Sequence, residues 1–295
     1  MATKDHLSNG IADFWDKNPC GEDFIPASGG VEFFRQADLI KQREPHIAEN
    51  LRRVDFRGKR VLEIGLGQGC EAHKIIEAGA FYSGIDITAE SVRRVKTRCR
   101  LFSLSYESIQ VMNAEAMDFA DGSFDAVFTH GVIHHSPRIE QIIREIHRVL
   151  RDRGRVIAMV YHRNSINYQL SIRVLRRAGI FLLWIPGADR IISWAMGEKR
   201  DRLQKHLTNL KHEGLRYLKL ENFVHRATDG PDNVFSSVFS KEELRYLFRE
   251  FHDLSFSVHH LNERHFPLLR TLLSANIKEK LAARFGWHIW VTGTK

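Results

Sequence analysis

Between Arg60 and Gly69 the chain reads RVLEIGLGQG, an apolar run of Val61, Leu62 and Ile64 that ends in glycines at 65, 67 and 69. Glycine has no Cβ, so such a turn bends tightly and lets backbone amides come close to a ligand. Glu71 to Ala78 predicts a helix behind the turn, with its first amides aimed at whatever the glycines hold. Strand, glycine turn and helix together make a nucleotide-binding corner. Glu63, just before the glycines, argues against a dinucleotide: its carboxylate would repel a pyrophosphate and would suit a cationic ligand. The next predicted strand, YSGIDI, places Asp86, with Ile87 beside it, where an acidic side chain accepts hydrogen bonds from ribose hydroxyls. Thr88 is free to cap the helix Ala89 to Arg100.

A second group of reactive side chains follows the fourth predicted strand, Phe124 to Thr129. The loop there reads His130-Gly131-Val132-Ile133-His134-His135, and Tyr161 and His162 close the fifth strand. In a doubly wound sheet ligands sit beyond the carboxyl ends of the strands, so this loop faces the cofactor. H-x-x-x-H-H on a turn has no ligand-bearing helix, cysteine or third carboxylate beside it, and no metal site is expected. Imidazole titrates near neutral pH, which fits a general base or a substrate contact. His135 and His162 are the candidates for the base, Tyr161 for an orienting group, His130 for a cofactor contact and His134 for a substrate contact. Packing or helix capping is the plain alternative for each histidine.

The pattern E-x-G-x-G-x-G after an apolar strand resembles motif I of the class I S-adenosylmethionine (SAM)-dependent methyltransferases. The resemblance runs from Arg60 to Tyr161. It takes in FDAV at the fourth strand and the helix–turn–strand segment HRVLRDRGRVIAMVYH, and it is weaker from Phe239 onward. It implies SAM as cofactor, with Glu63 facing the methionine ammonium, Gly65, Gly67 and Gly69 allowing close backbone approach, and Asp86 holding the ribose. It also implies adenine recognition by Asn113 and Ala114, with Asn113 standing where the family usually has an acidic residue. FWDKNPCG resembles N-terminal segments that fold over the cofactor in some small-molecule methyltransferases; a surface arm is the alternative. DGPDNVFSSVFSKEEL resembles the re-entry segment of certain bacterial members.

The elements that would position these residues alternate as βα units. The expected fold is α/β: a seven-stranded, Rossmann-like, doubly wound sheet, mostly parallel with its last strand antiparallel, and a helical insertion after the fifth strand. Expected divisions are an N-terminal arm and helix (1–55) covering the cofactor site, the SAM-binding core (56–162), a helical substrate lid (163–235) and the C-terminal part of the sheet (236–295). Within the first of these, Val31 to Arg53 predicts one helix broken or kinked at Pro45. At 295 residues and 43% hydrophobic, the chain can bury a full core. Three scattered cysteines form no disulfide framework, the start MATKDHLSNG has no apolar signal region, and Ala178 to Pro186 is too short to span a bilayer. A cytoplasmic protein is expected.

Charge is concentrated. Arg163 to Arg226 holds 13 Lys or Arg against 5 Asp or Glu, and its net +8 equals that of the whole chain. The same stretch is rich in Phe181, Leu182, Leu183, Trp184, Ile185, Ile191, Ile192, Trp194 and Met196. As a lid it would hold an acceptor that is both apolar and anionic, with Arg173, Arg176 and Arg177 pairing with a carboxylate or phosphate. Alternatively these apolar residues form the insertion's own core, or point outward onto an anionic membrane from which a lipid or isoprenoid substrate is drawn. A non-catalytic SAM-binding partner protein is a further reading. Nucleic acid is not favoured: no N-P-P-[YF] tetrapeptide follows the fourth strand and no aromatic-rich binding module is present.

Overall fold

The computed structural model describes residues 2–22, 25, 29–261, 266 and 273–295. An eight-stranded sheet organises them. Along its main path lie β3 (Ser108–Val111), β2 (Phe81–Asp86), β1 (Arg60–Ile64), β4 (Phe124–His130), β5 (Leu150–His162), β8 (His288–Thr294) and β7 (His252–His259). The two-residue β6 (Val238–Phe239) pairs with β5 off that path, so the expected seven strands gain a short eighth. Pairs β3-β2, β2-β1, β1-β4 and β4-β5 are parallel. The last strand runs the other way: Lys295 N donates to Gly154 O and His162 N to Trp287 O, so β8 descends as β5 ascends.

The chain divides into two compact units. Unit 1 comprises Met1–Val160, Glu242–Phe256 and Trp290–Lys295; unit 2 comprises Tyr161–Lys241 and Ser257–Ile289. Unit 2 therefore starts two residues before the expected insertion and takes in a later segment as well.

Unit 1 carries helices α1 (Ala2–Lys17), α2 (Gly30–Lys41), α3 (Pro45–Leu51), α4 (Cys70–Glu77), α5 (Ala89–Leu101), α6 (Ile139–Val149) and, later in the chain, α11 (Lys241–Leu247) from Glu242 onward. The break predicted at Pro45 is a complete one, with Pro45 at the start of α3. β1 is buried from Val61 to Ile64, as a parallel strand covered on both faces must be. α6 buries Ile142, Ile143, Ile146 and Val149 at helical spacing. Thr88 caps α5, its hydroxyl accepting from Ser91 N at 3.3 Å. The core joins Val61, Tyr82, Val95, Phe128 and Ile157 to Trp290.

Unit 2 is mostly helical: a π-helical stretch Asn167–Arg176 running into α7 (Arg177–Leu182), then α8 (Ala188–Met196), α9 (Arg200–Glu213), α10 (Leu220–Thr228) and α12 (Ala275–Phe285). Of the helix expected over Pro267 to Phe285, residues 267–272 lie outside the described residues. Its core includes Ile172, Ile180, Leu183, Ile192, Tyr217, Phe223 and Trp287. The apolar residues of the insertion thus separate. Leu183 and Ile192 are buried, whereas Phe181, Leu182, Trp184, Ile185, Ile191 and Trp194 are exposed. The side chain of Met196 lies outside the described residues.

Candidate cofactor site

The three glycines of the β1–α4 turn have left-handed φ of 82°, 49° and 74°, but their surroundings differ. A Cβ on Gly65 would lie 2.0 Å from Val132 Cγ2, so this glycine lets the loop after β4 close against the turn. A Cβ on Gly69 would meet Val95 Cγ2 at 3.0 Å, where α4 packs on α5. Around Gly67 a Cβ would meet nothing within 4 Å. Gly67 is thus the glycine of the three beside which the turn is open.

Two strand ends flank that opening. From β2, the Asp86 carboxylate accepts from Leu66 N at 2.7 Å, Thr88 N at 2.9 Å and Thr88 Oγ1 at 2.8 Å. It therefore holds the glycine turn itself. Burial raises its pKa, opposed by those same donors. From β1, Glu63 is buried and accepts from Tyr82 Oη at 2.6 Å. Burial, and then the nearby Glu71 carboxylate, lift its pKa well above the usual range, while Tyr82 and Lys41 pull it back.

Lys41, at the end of α2, was not singled out from the sequence. Its Nζ lies 3.5 Å from Glu71 Oε1 and 3.3 Å from His130 Nδ1. Burial works against its charge, but Glu71 and further negative neighbours outweigh that and hold its pKa above the ordinary value. Glu63, Glu71 and Lys41 thus bring both charge signs beside the turn. Arg98 of α5, 1% exposed, pairs with Asp38 of α2 and donates to Gln68 O in the turn at 3.2 Å. It fixes the far side of the turn.

The other predicted cofactor residues lie in the neighbouring loops. Ile87 follows Asp86 and is half-buried. Asn113 Oδ1 accepts from Glu115 N at 2.9 Å, an Asx turn that shapes the Asn113-Ala114 loop after β3. Glu115, also unanticipated, accepts from Ser136 Oγ at 2.5 Å and Arg138 Nε at 2.7 Å, tying that loop to the one after β4. His130 stacks on Trp290 with ring centroids 5.3 Å apart. His134 is fully buried, and burial followed by its histidine neighbours lowers its pKa well below 6.5. His135 meets the edge of Trp15 of α1 at 4.9 Å. The N-terminal segment is therefore helical and reaches the histidine loop.

The remaining candidates belong to unit 2. Tyr161 donates to Asp229 Oδ1 at 2.8 Å and stacks on Trp287 at 4.4 Å. His162 Nδ1 hydrogen-bonds Gly286 O at 3.0 Å. Arg176 donates to Ala227 O and pairs with Glu198 at 3.3 Å, and Arg177 donates to Leu218 O at 2.8 Å. Arg173 is exposed and donates to Gln169 Oε1.

A parallel sheet of this order, with a glycine turn after β1 and an acidic residue ending β2, is the arrangement of a doubly wound, nucleotide-binding domain. Residues 62–158 match the family described as methyltransferase domain. The chain is 34% identical over 121 residues to a sterol methyltransferase-like protein of Botryococcus braunii, covering 40% of this chain and 30% of that one. It is 32% identical over 103 residues to a fatty-acid O-methyltransferase of Mycolicibacterium smegmatis, covering 34% and 36%. The matches thus span about a third of each relative's length. A SAM-dependent methyltransferase structure from Methanosarcina mazei shares the fold, with a TM-score of 0.52 at 18% identity over 85% of this chain and 97% of that one. By the family match, residues 62–158 are similar to methyltransferase domains.

Proposed function

We propose that the protein is a methyltransferase that carries a methyl group from SAM to a small, partly apolar and anionic acceptor. The observation that carries this reading is the glycine turn with open space at Gly67, which follows Glu63 of β1 and is held by Asp86 at the end of β2. The residues fit the cofactor's chemistry. Glu63 suits the methionine ammonium, Lys41 the methionine carboxylate, Asp86 the ribose, and the Asn113-Ala114 loop the adenine. Bound SAM supplies a methyl group already activated by the positive sulfur to which it is attached. The protein then has to align the acceptor and exclude water.

Where the acceptor carries a proton, His135 is the residue proposed to take it. It belongs to the same unit as the glycine turn. The neutral imidazole of His134 would serve as an uncharged hydrogen-bonding neighbour, as its lowered pKa requires. Tyr161 and His162, already engaged with Asp229 and Gly286, would act by orientation. Of the three arginines proposed to hold the acceptor's anion, Arg173 is the exposed one, while Arg176 and Arg177 also brace unit 2.

The sterol and fatty-acid methyltransferases among the relatives make lipids and isoprenoids the first acceptor class to try. Incubation with SAM and a panel of long-chain acids, sterols and isoprenoid acids should release S-adenosylhomocysteine with at least one of them. A panel including total lipid extract that yields none above background, with SAM binding intact, would leave the non-catalytic SAM-binding reading standing instead.

A further inference from the structure

Unit 2 buries only part of its apolar content. Phe181, Leu182, Trp184, Ile185, Ile191 and Trp194 remain at the surface, from 45% to 86% exposed. They are not scattered. Phe181 and Leu182 end α7, Trp184 and Ile185 enter the turn to α8, and Ile191 and Trp194 lie on α8. The turn Trp184-Ile185-Pro186-Gly187 is exposed at every residue, and a Cβ on Gly187 would meet nothing within 4 Å. A run of exposed large apolar residues along one short stretch marks an interaction surface, whereas single exposed apolar residues need no explanation.

Its chemistry selects the partner. Tryptophan and phenylalanine with long aliphatic side chains, set among basic residues, are what an amphipathic segment presents to a lipid headgroup boundary. Arg190, Arg216 and Lys219 are exposed in the same unit, within the stretch that carries 13 basic against 5 acidic residues. A second copy would bring the same positive charge against it. A nucleic acid would gain nothing from Leu182, Ile185 and Ile191, which offer neither a stacking plane nor a phosphate donor. We propose that the exposed apolar residues between Phe181 and Trp194, with Arg190 among them, dock the protein onto an anionic lipid bilayer. This goes beyond the methyl-transfer reading and does not depend on it.

The test uses the full chain, floated with vesicles of equimolar phosphatidylglycerol and phosphatidylcholine, or of phosphatidylcholine alone. The wild-type protein should float with the anionic vesicles, release at high salt, and show a blue shift of tryptophan emission. The double variant Trp184→Ser/Trp194→Ser should bind roughly tenfold or more weakly and lose the shift, with an unchanged far-ultraviolet circular dichroism spectrum as the check that it is folded. The proposal is overturned if the wild type does not float, if neutral vesicles capture it equally well, or if the double variant floats like the wild type. It is also overturned if sedimentation shows self-association that the double variant abolishes, because the surface then belongs to a second copy. Loss of SAM binding in the wild type would count against the methyl-transfer reading and not against docking.

Discussion

Gly65 and Gly67 look equivalent in sequence, yet Gly65 accommodates Val132 and Gly67 accommodates no part of the chain. Both have positive φ, so alanine at either position costs ~1–2 kcal/mol in backbone terms. Gly65→Ala adds a direct overlap, for a total of roughly 2–5 kcal/mol, and Val132→Ala should recover part of it. Gly67→Ala should cost only the backbone amount and lose SAM binding while staying folded; Val132→Ala should not help it. Urea unfolding of the single and double variants decides this. Glu63 carries a second prediction at this scale. Its pKa is raised in the free protein, so part of the population is protonated below that pKa. Pairing with the methionine ammonium favours the carboxylate. SAM affinity should therefore rise with pH through the Glu63 pKa, and binding below it should release protons, which calorimetry in buffers of different ionisation heat would detect. Proton uptake would contradict the assignment.

Elements were legible where sequence neighbours decide them. The glycine turn and the Thr88 cap are each set by residues a few positions apart, and Asp86 by its distance of one helix and one strand from Gly69, so spacing located them. The helix α1 was not anticipated, because Gly10 weakens its helix propensity and the segment is polar. Lys41, Glu115 and Arg98 were missed for another reason. Their partners Glu71, Ser136 and Asp38 are distant in sequence, and only the fold brings them together. In unit 2, His206 of α9 hydrogen-bonds Tyr217 Oη at 2.6 Å. Burial, and then Arg176, Arg202 and Arg226, push its pKa down to about 3. The unfolded chain takes up this proton near pH 6.5 and the folded chain does not. Stability is therefore complete above that pH and falls as the pH drops toward the folded pKa, at up to ~1.4 kcal/mol per pH unit. His206→Gln, which cannot titrate, should flatten this dependence in denaturation curves followed through unit 2; an unchanged slope would show that other groups cause it.

At the scale of the whole molecule, the methyltransferase fold was legible because the βα alternation from Arg60 to Tyr161 is nearly continuous. The sorting of the insertion was not. Leu183 and Trp184 are adjacent and both apolar, but one is buried and the other exposed, a difference set by packing. Among the described residues no helix is long and apolar enough to cross a membrane. The central claim is that the glycine turn, Glu63 and Asp86 form a SAM site, and calorimetric titration of SAM into the purified wild-type and Asp86→Ala proteins tests it most directly. Saturable binding by the wild type and a loss of ~1–3 kcal/mol in the variant are expected. No saturable heat with the folded wild-type protein, or equal affinity in the two, would contradict it.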